Sequence, residues 1–336
     1  MRPEKAIMTS RREFLSNALA ISLVSASTRP IRADQSRSMH SESDSSTANS
    51  GRTTQNISLR WDVFLAPSIP AITSDVPPGE KERPWPPISS TLISGERDAV
   101  LVDTPITVEQ ARALSNWVAA SGKNLTTIYA THGHGDHFFG TSTVLKRFPG
   151  ARFVARPEVI KVMLQQASPE SLDTFWNPRF PGQISGQLAI AEELTGNVIN
   201  LEGHDLVSVP LGFTDTAGTT CLHVPSIGLI VAGDAAYNGD HLHLSESPDH
   251  KRRQEWIAAL DKMESLKPRA VIAGHKRVGN DDSPRILGET RKYIRDFERL
   301  VMQTTTAREL YDEMLKLYPD WINRGALWSS VRAIRT

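Results

Sequence analysis

The sequence predicts a layered α/β protein with helices on its outer faces, and three observations carry that expectation. Short apolar, β-rich runs alternate with helical patterns in two successive halves of the chain. Histidine or aspartate stands directly after the end of several of those runs, where a sheet would open onto a site. The 336 residues, 39% of them hydrophobic, suffice for a substantial buried core.

The charge balance narrows the partners. Lys+Arg and Asp+Glu number 38 each, so no global basic field draws the chain to nucleic acid, and a small-molecule substrate is the expected partner. Cys221 is the only cysteine, which excludes an internal disulfide and a thiolate-rich zinc site. A metal would have to be held by histidine and carboxylate.

Near the start, Ser10 to Leu15 reads S-R-R-E-F-L, and an apolar stretch follows over 18–26. This resembles a twin-arginine export signal, which implies a periplasmic or extracellular protein. The apolar stretch is too short for a permanent anchor, which needs roughly 20 residues. Val24-Ser25-Ala26 and Ile31-Arg32-Ala33 are alternative cleavage sites, and residues 1–33 are read as the signal. Residues 34–56, rich in Ser, Thr and Asn with almost no large apolar side chain, cannot bury enough surface to offset their ordering entropy and are read as a flexible linker.

Folded structure is expected from about residue 57, with alternating apolar positions over 57–65 and then a proline-rich loop over 67–87. Two β-rich runs, 91–94 and 99–103, are joined by Gly95-Glu96-Arg97-Asp98 and read as a hairpin. A helix over 107–120 presents Val108, Ala111, Leu114 and Val118 at helical spacing, with Gly122 after its end. A strand over 125–130, a helix over 139–148 and a strand over 151–155 follow. From 157 to 187 the periodicity fades, and the segment reads as a loop that either covers substrate or packs its own aromatics. Strands are then expected over 198–201, 206–209, 220–224, 229–232 and 270–273, with a helix over 254–266 between the last two. Helices complete the chain from 283 onward. Among them Leu310, Met314, Leu317 and Trp321 lie near helical spacing, for packing on the body or on a second subunit.

The chemistry concentrates in Thr131-His132-Gly133-His134-Gly135-Asp136-His137, directly after a predicted strand. In an extended segment His132 and His134 point the same way, while Asp136 and His137 turn toward the next helix. Gly133 and Gly135 are expected to give the backbone freedom and leave space for ligands to converge. Imidazole and carboxylate suit zinc, and the alternation divides into two adjacent sites.

H-G-H-G-D-H resembles the H-x-H-x-D-H signature of the metallo-β-lactamase superfamily, and the resemblance runs in motif order over roughly residues 57–280, leaving 281–336 as a helical extension. It implies a four-layer αββα sandwich and a zinc-dependent hydrolase that uses a metal-bound hydroxide on an ester, lactone, thioester or amide. By the same resemblance His132 and His134 belong to site one, Asp136, His137 and His275 to site two, and Asp234 bridges them. Asp136 and Tyr237 are the residues implied in catalysis, Tyr237 either as a lactonase-type supporting tyrosine or as a structural one. Asp103 is expected behind a ligating histidine. Lys276 either attracts an anionic substrate or faces solvent, the latter preferred. An Asp at 234, where zinc β-lactamases carry Cys or His, points toward glyoxalase- or lactonase-type hydrolases.

One position departs from the pattern. The family's third histidine of site one falls in a Gly-His-Thr segment, which here reads Gly212-Phe213-Thr214. Site one is therefore expected to be weak or empty, with His204 and His223 as possible substitutes. The alternative function that follows is a metal- or ligand-binding protein whose catalysis is weakened or lost through Phe213. An iron oxygenase, which needs the missing histidine, is disfavoured.

Overall fold

Alternation of side chains along the first strands decides where the layers lie. In the computed structural model, which describes residues 58–335, Ala99 and Leu101 pack in one apolar cluster while Val100 and Val102 pack in another. A strand that must bury both faces reads as a continuous apolar run, as 99–102 does. The expected signal, 1–33, and linker, 34–56, lie outside the described residues.

The first half contains β1 (Arg60–Ala66), β2 (Ile88–Ser94), β3 (Asp98–Val102), α1 (Val108–Ala120), β4 (Asn124–Tyr129), α2 (Thr141–Arg147), β5 (Arg152–Ala155) and α3 (Pro157–Gln166). Short helices α4 (Pro169–Ser171) and α5 (Asn177–Arg179) flank a π-turn at Leu172–Trp176, and β6 (Glu192–Glu193) ends this half. Strands β1 to β6 form one sheet in chain order, antiparallel from β1 to β3 and parallel from β3 to β6. The second sheet has the order β11-β10-β9-β8-β7, from β7 (Val198–Leu201), β8 (His204–Gly212), β9 (Thr219–Val224), β10 (Leu229–Asn238) and β11 (Ala270–Lys276). Helix α6 (His250–Ser265) links β10 to β11, and α7 (Arg285–Val301), α8 (Ala307–Leu317) and α9 (Arg324–Ile334) close the chain.

Three apolar clusters separate four layers. Ile93, Val100 and Val154 of the first sheet meet Leu206, Leu222 and Ile272 of the second, so the sheets pack face to face. Leu114 and Val118 of α1 and Val159 of α3 cover the outer face of the first sheet, and Trp256, Ile294 and Leu310 of the C-terminal half cover the second. This is the αββα sandwich. Leu310 and Met314 are buried against this body, whereas Leu317 is exposed. No helix among the described residues is long and apolar enough to cross a membrane.

Local chemistry accounts for the helix boundaries. Thr107 caps α1: its hydroxyl accepts from the Gln110 amide at 3.2 Å and the Gln110 side chain accepts from the Thr107 amide at 3.3 Å. The expectation of a loop over 157–187 is corrected, because α3, the π-turn and the short helices occupy much of it. Prolines 157, 169 and 178 fall in the first turns of successive helical pieces, where proline is tolerated, and they break up the periodicity a single long helix would have displayed.

Candidate metal centre

The segment after β4 descends to the open end of both sheets. His134 is extended, and a 3-10 turn over Gly135–His137 redirects Asp136 and His137 toward α2. The intervening glycines serve space, not unusual torsions. A Cβ on Gly133 would stand 2.5 Å from Val162 Cβ and 2.8 Å from the Met163 amide, and one on Gly135 would meet Phe139 at 2.5 Å. Both glycines let α3 and Phe139 close directly on the histidine segment. Asp234 is aimed by a different device: Gly233 takes φ +54°, and the pairing of β10 with β11 shifts register on either side of it, a bulge that turns Asp234 toward the histidines. Farther along the same pair, Tyr237 lies opposite His275.

Three overlapping groups of donors result among the described residues, one of Asp103, His132 and His137 and two that include residues lining a cavity. His132, His134, Asp215 and Asp234 offer ligand atoms within 4.8 Å of one another, and Asp136, His137 and His275 do the same. Asp215 Oδ2 lies 3.0 Å from His134 Nδ1 and 3.8 Å from His132 Nε2. Asp234 Oδ1 is 3.3 Å from His137 Nε2, and its Oδ2 is 3.3 Å from His275 Nε2. His132 Nε2, His137 Nε2, Asp215 Oδ2 and Asp234 Oδ1 are buried and make no hydrogen bond. Buried polar atoms are normally satisfied, so four orphans distributed over these two adjoining groups fit cations.

Partners behind the rings set their tautomers. His275 Nδ1–H donates to the Pro87 carbonyl at 2.8 Å, which turns Nε2 inward as an acceptor. His137 Nδ1–H faces Asp103 Oδ2 at 3.3 Å, and the Thr131 hydroxyl donates to the same oxygen at 2.8 Å. With its proton so committed, the Thr131 oxygen accepts from His132 Nδ1–H at 3.0 Å. One carboxylate thus orients one histidine of each group, directly and through a hydroxyl. On the cavity side the Trp85 indole donates to Asp136 Oδ2 at 2.9 Å, and Tyr237 donates to Asp234 Oδ2 at 3.0 Å.

Electrostatics point the same way. Burial would raise the Asp136 and Asp234 carboxyls, yet the neighbouring histidines hold Asp136 below the usual carboxylate range and Asp234 well below it. Burial would lower His137, but Asp234 and Asp136 raise it to about 10. The folded cluster favours ionised carboxylates with positive charge among them, which divalent ions supply.

The expectation that Phe213 leaves site one short of a ligand is corrected. Phe213 lies beneath the Arg252 guanidinium, 4.2 Å from its carbon to the ring centroid, and Asp215 two residues later enters the cluster instead. Neither His204 nor His223 belongs to a donor group; they lie on β8 and β9. Lys276 is also corrected: it is buried and donates to Asp282 at 2.6 Å. Asp215, Trp85 and Glu246, whose carboxylate lies 3.0 Å from His134 Nε2, escaped sequence reasoning. The one signal for Asp215 was an acid just beyond the position where a histidine was sought.

A cavity of about 1090 Å³ opens onto both groups and is lined by His134, Asp136, Asp234, Tyr237 and His275 from the centre and by Trp85, Phe175 and Trp176 from the loops and short helices.

Comparison with known proteins agrees with this architecture. A metallo-β-lactamase family protein from Thermus thermophilus superposes with a TM-score of 0.58 at 19% identity, covering 81% of this chain and 91% of that one. The FIM-1 metallo-β-lactamase of Pseudomonas aeruginosa, in its mono-zinc form, superposes with a TM-score of 0.50 at 14% identity, over 71% of this chain and 91% of its own. These likenesses concern the fold. A hydroxyacylglutathione hydrolase from Synechococcus sp. (strain CC9902) is 30% identical over 178 residues, 49% of this chain, which thus spans only 58% of that relative's length. The metallo-beta-lactamase superfamily model matches residues 83–275, more than half of the chain and every donor of the two groups, and the chain belongs to that superfamily.

Proposed function

We propose that this protein is a metal-dependent hydrolase that holds two divalent ions, most simply zinc, and cleaves a small ester, lactone, thioester or amide. The observation that carries the reading is the pair of donor groups, each of buried imidazole and carboxylate, with orphaned atoms facing one another at the floor of a cavity. His132, His134, Asp215 and Asp234 would hold one ion, and Asp136, His137, His275 and Asp234 the other. Bound there, such ions supply Lewis acidity and lower the pKa of coordinated water toward neutrality.

The chain's own residues do the positioning. Asp136, kept ionised by its histidine neighbours and turned by the Trp85 indole, presents a carboxylate to orient an attacking water. Tyr237, whose hydroxyl is raised well above its ordinary value by burial and by Asp234, stays protonated and holds Asp234 in place. The expectation of lost catalysis rested on a missing ligand, and Asp215 removes that reason. The remaining expectations join this proposal: a small-molecule substrate and, from the twin-arginine-like segment, a periplasmic or extracellular location.

The test is elemental analysis of purified protein for zinc, iron and manganese, paired with turnover of a thioester, a lactone and an aryl ester. Two ions per chain, with activity removed by a chelator and restored by metal, is the expected result. No metal after repletion overturns it.

A further inference from the structure

The outer end of the cavity carries a charge arrangement that the hydrolytic centre does not use. Arg83 and Arg332 both bind Asp75: Arg83 Nη1 at 2.6 Å from Oδ2, and Arg332 through Oδ1. Arg179 lies in the same wall with no carboxylate partner, its guanidinium carbon 3.8 Å from the centroid of the Phe175 ring and its Nη1 donating to the Phe175 carbonyl at 2.8 Å. Arg83 and Asp75 are the charges that Arg179 feels, so the three arginines share one carboxylate. The other acids of the cavity are engaged or exposed. Asp136 and Asp234 face the histidines, Glu246 binds His134 and Thr216, and Glu170 points to solvent. Two positive charges are left over in a wall where Arg83 and Arg179 are half-buried and Arg332 is exposed.

Between this end and the donor groups runs an aromatic surface. The Trp85 ring lies 5.4 Å from Trp176, which is buried behind it at 2% exposure, and 6.3 Å from Phe175, which lines the cavity and is 39% exposed. Trp85 touches Asp136 through its indole, and Arg83 stands two residues earlier, at most about 7 Å of chain away. The apolar surface thus leads from the hydrolytic centre to the arginines.

We infer that the cavity takes an amphipathic acyl substrate whose apolar chain or ring lies along Trp85 and Phe175, which Trp176 backs from the core, and whose far end is a carboxylate bound by Arg179, Arg83 and Arg332. The inference rests on the hydrolase reading only in calling the bound molecule a substrate. Arginine binds carboxylate bidentately, and the partly desolvated wall strengthens the pairing.

Titration calorimetry of the metal-loaded protein with 4-phenylbutyrate and with 4-phenylbutanamide tests it without requiring turnover. The acid is expected to bind at least about tenfold more tightly than the amide, and the preference should shrink with added salt. Arg179→Gln, which breaks no ion pair, should bring the two affinities together. Arg332→Gln should reduce the preference in part, with circular dichroism melts confirming that both variants fold. Equal affinities in the wild type overturn the proposal. So does a preference that survives both substitutions, since the carboxylate would then sit on the metal ions. A preference lost in Arg179→Gln by a protein that hydrolyses none of the esters supports this inference while removing the hydrolase reading.

Discussion

Asp215 brings its carboxylate to 3.0 Å from His134 Nδ1, and that contact replaces the imidazole expected two residues earlier. Each donor group then contains two histidines and shares carboxylate character, a harder set than three histidines would make. Asp215→Ala should leave about one ion per chain while Asp215→His keeps two, counted by elemental analysis. Phe213→His should add no metal, because position 213 faces Arg252 and not the cluster. A gain of metal in that variant would restore the original assignment.

Asp103 supports both groups from behind, through His137 and through Thr131. It holds φ +60°, a torsion that asparagine also tolerates, so Asp103→Asn removes the charge without straining the backbone. Metal affinity should fall about 10- to 100-fold in competition with a chromophoric chelator. Unchanged affinity would mean that the rings are oriented by packing alone.

Gly133 gives a purely steric prediction. In Gly133→Ala the new methyl meets Val162 and the α3 backbone, and the helix must retreat from the histidine segment. Denaturant unfolding should show a loss of about 1–3 kcal/mol. A neutral substitution would show that α3 yields easily.

Asp240 supplies the pH dependence. It is fully buried, and burial raises its carboxyl to about 7, against the opposing influence of His275 and of the Asn323 amide. Because the folded value lies above the unfolded one, its contribution is present below the unfolded value of 3.8 and is lost as pH rises toward about 7. Asp240→Asn should therefore melt higher than the wild type at pH 8, with the gap closing as pH falls from 7 toward 4. A gap of constant size across that range would refute the assignment.

What the sequence by itself determined is local. The β-rich run at 99–103 and the helical spacing of Leu114 and Val118 depend on neighbours a few residues apart, and so the layered fold was legible. Six of the ligand-type residues, His132, His134, Asp136, His137, Asp234 and His275, stood out because they follow apolar strands. Tertiary structure alone decided the rest. Asp215 lies 78 residues beyond His137 and reaches the cluster only because the turn between β8 and β9 is folded against the end of β4. Trp85 meets Asp136 across 51 residues, and Arg83 meets Ser329 across 246. Such contacts leave no periodic trace, since their residues are joined by the packing of two sheets and not by the pitch of one element.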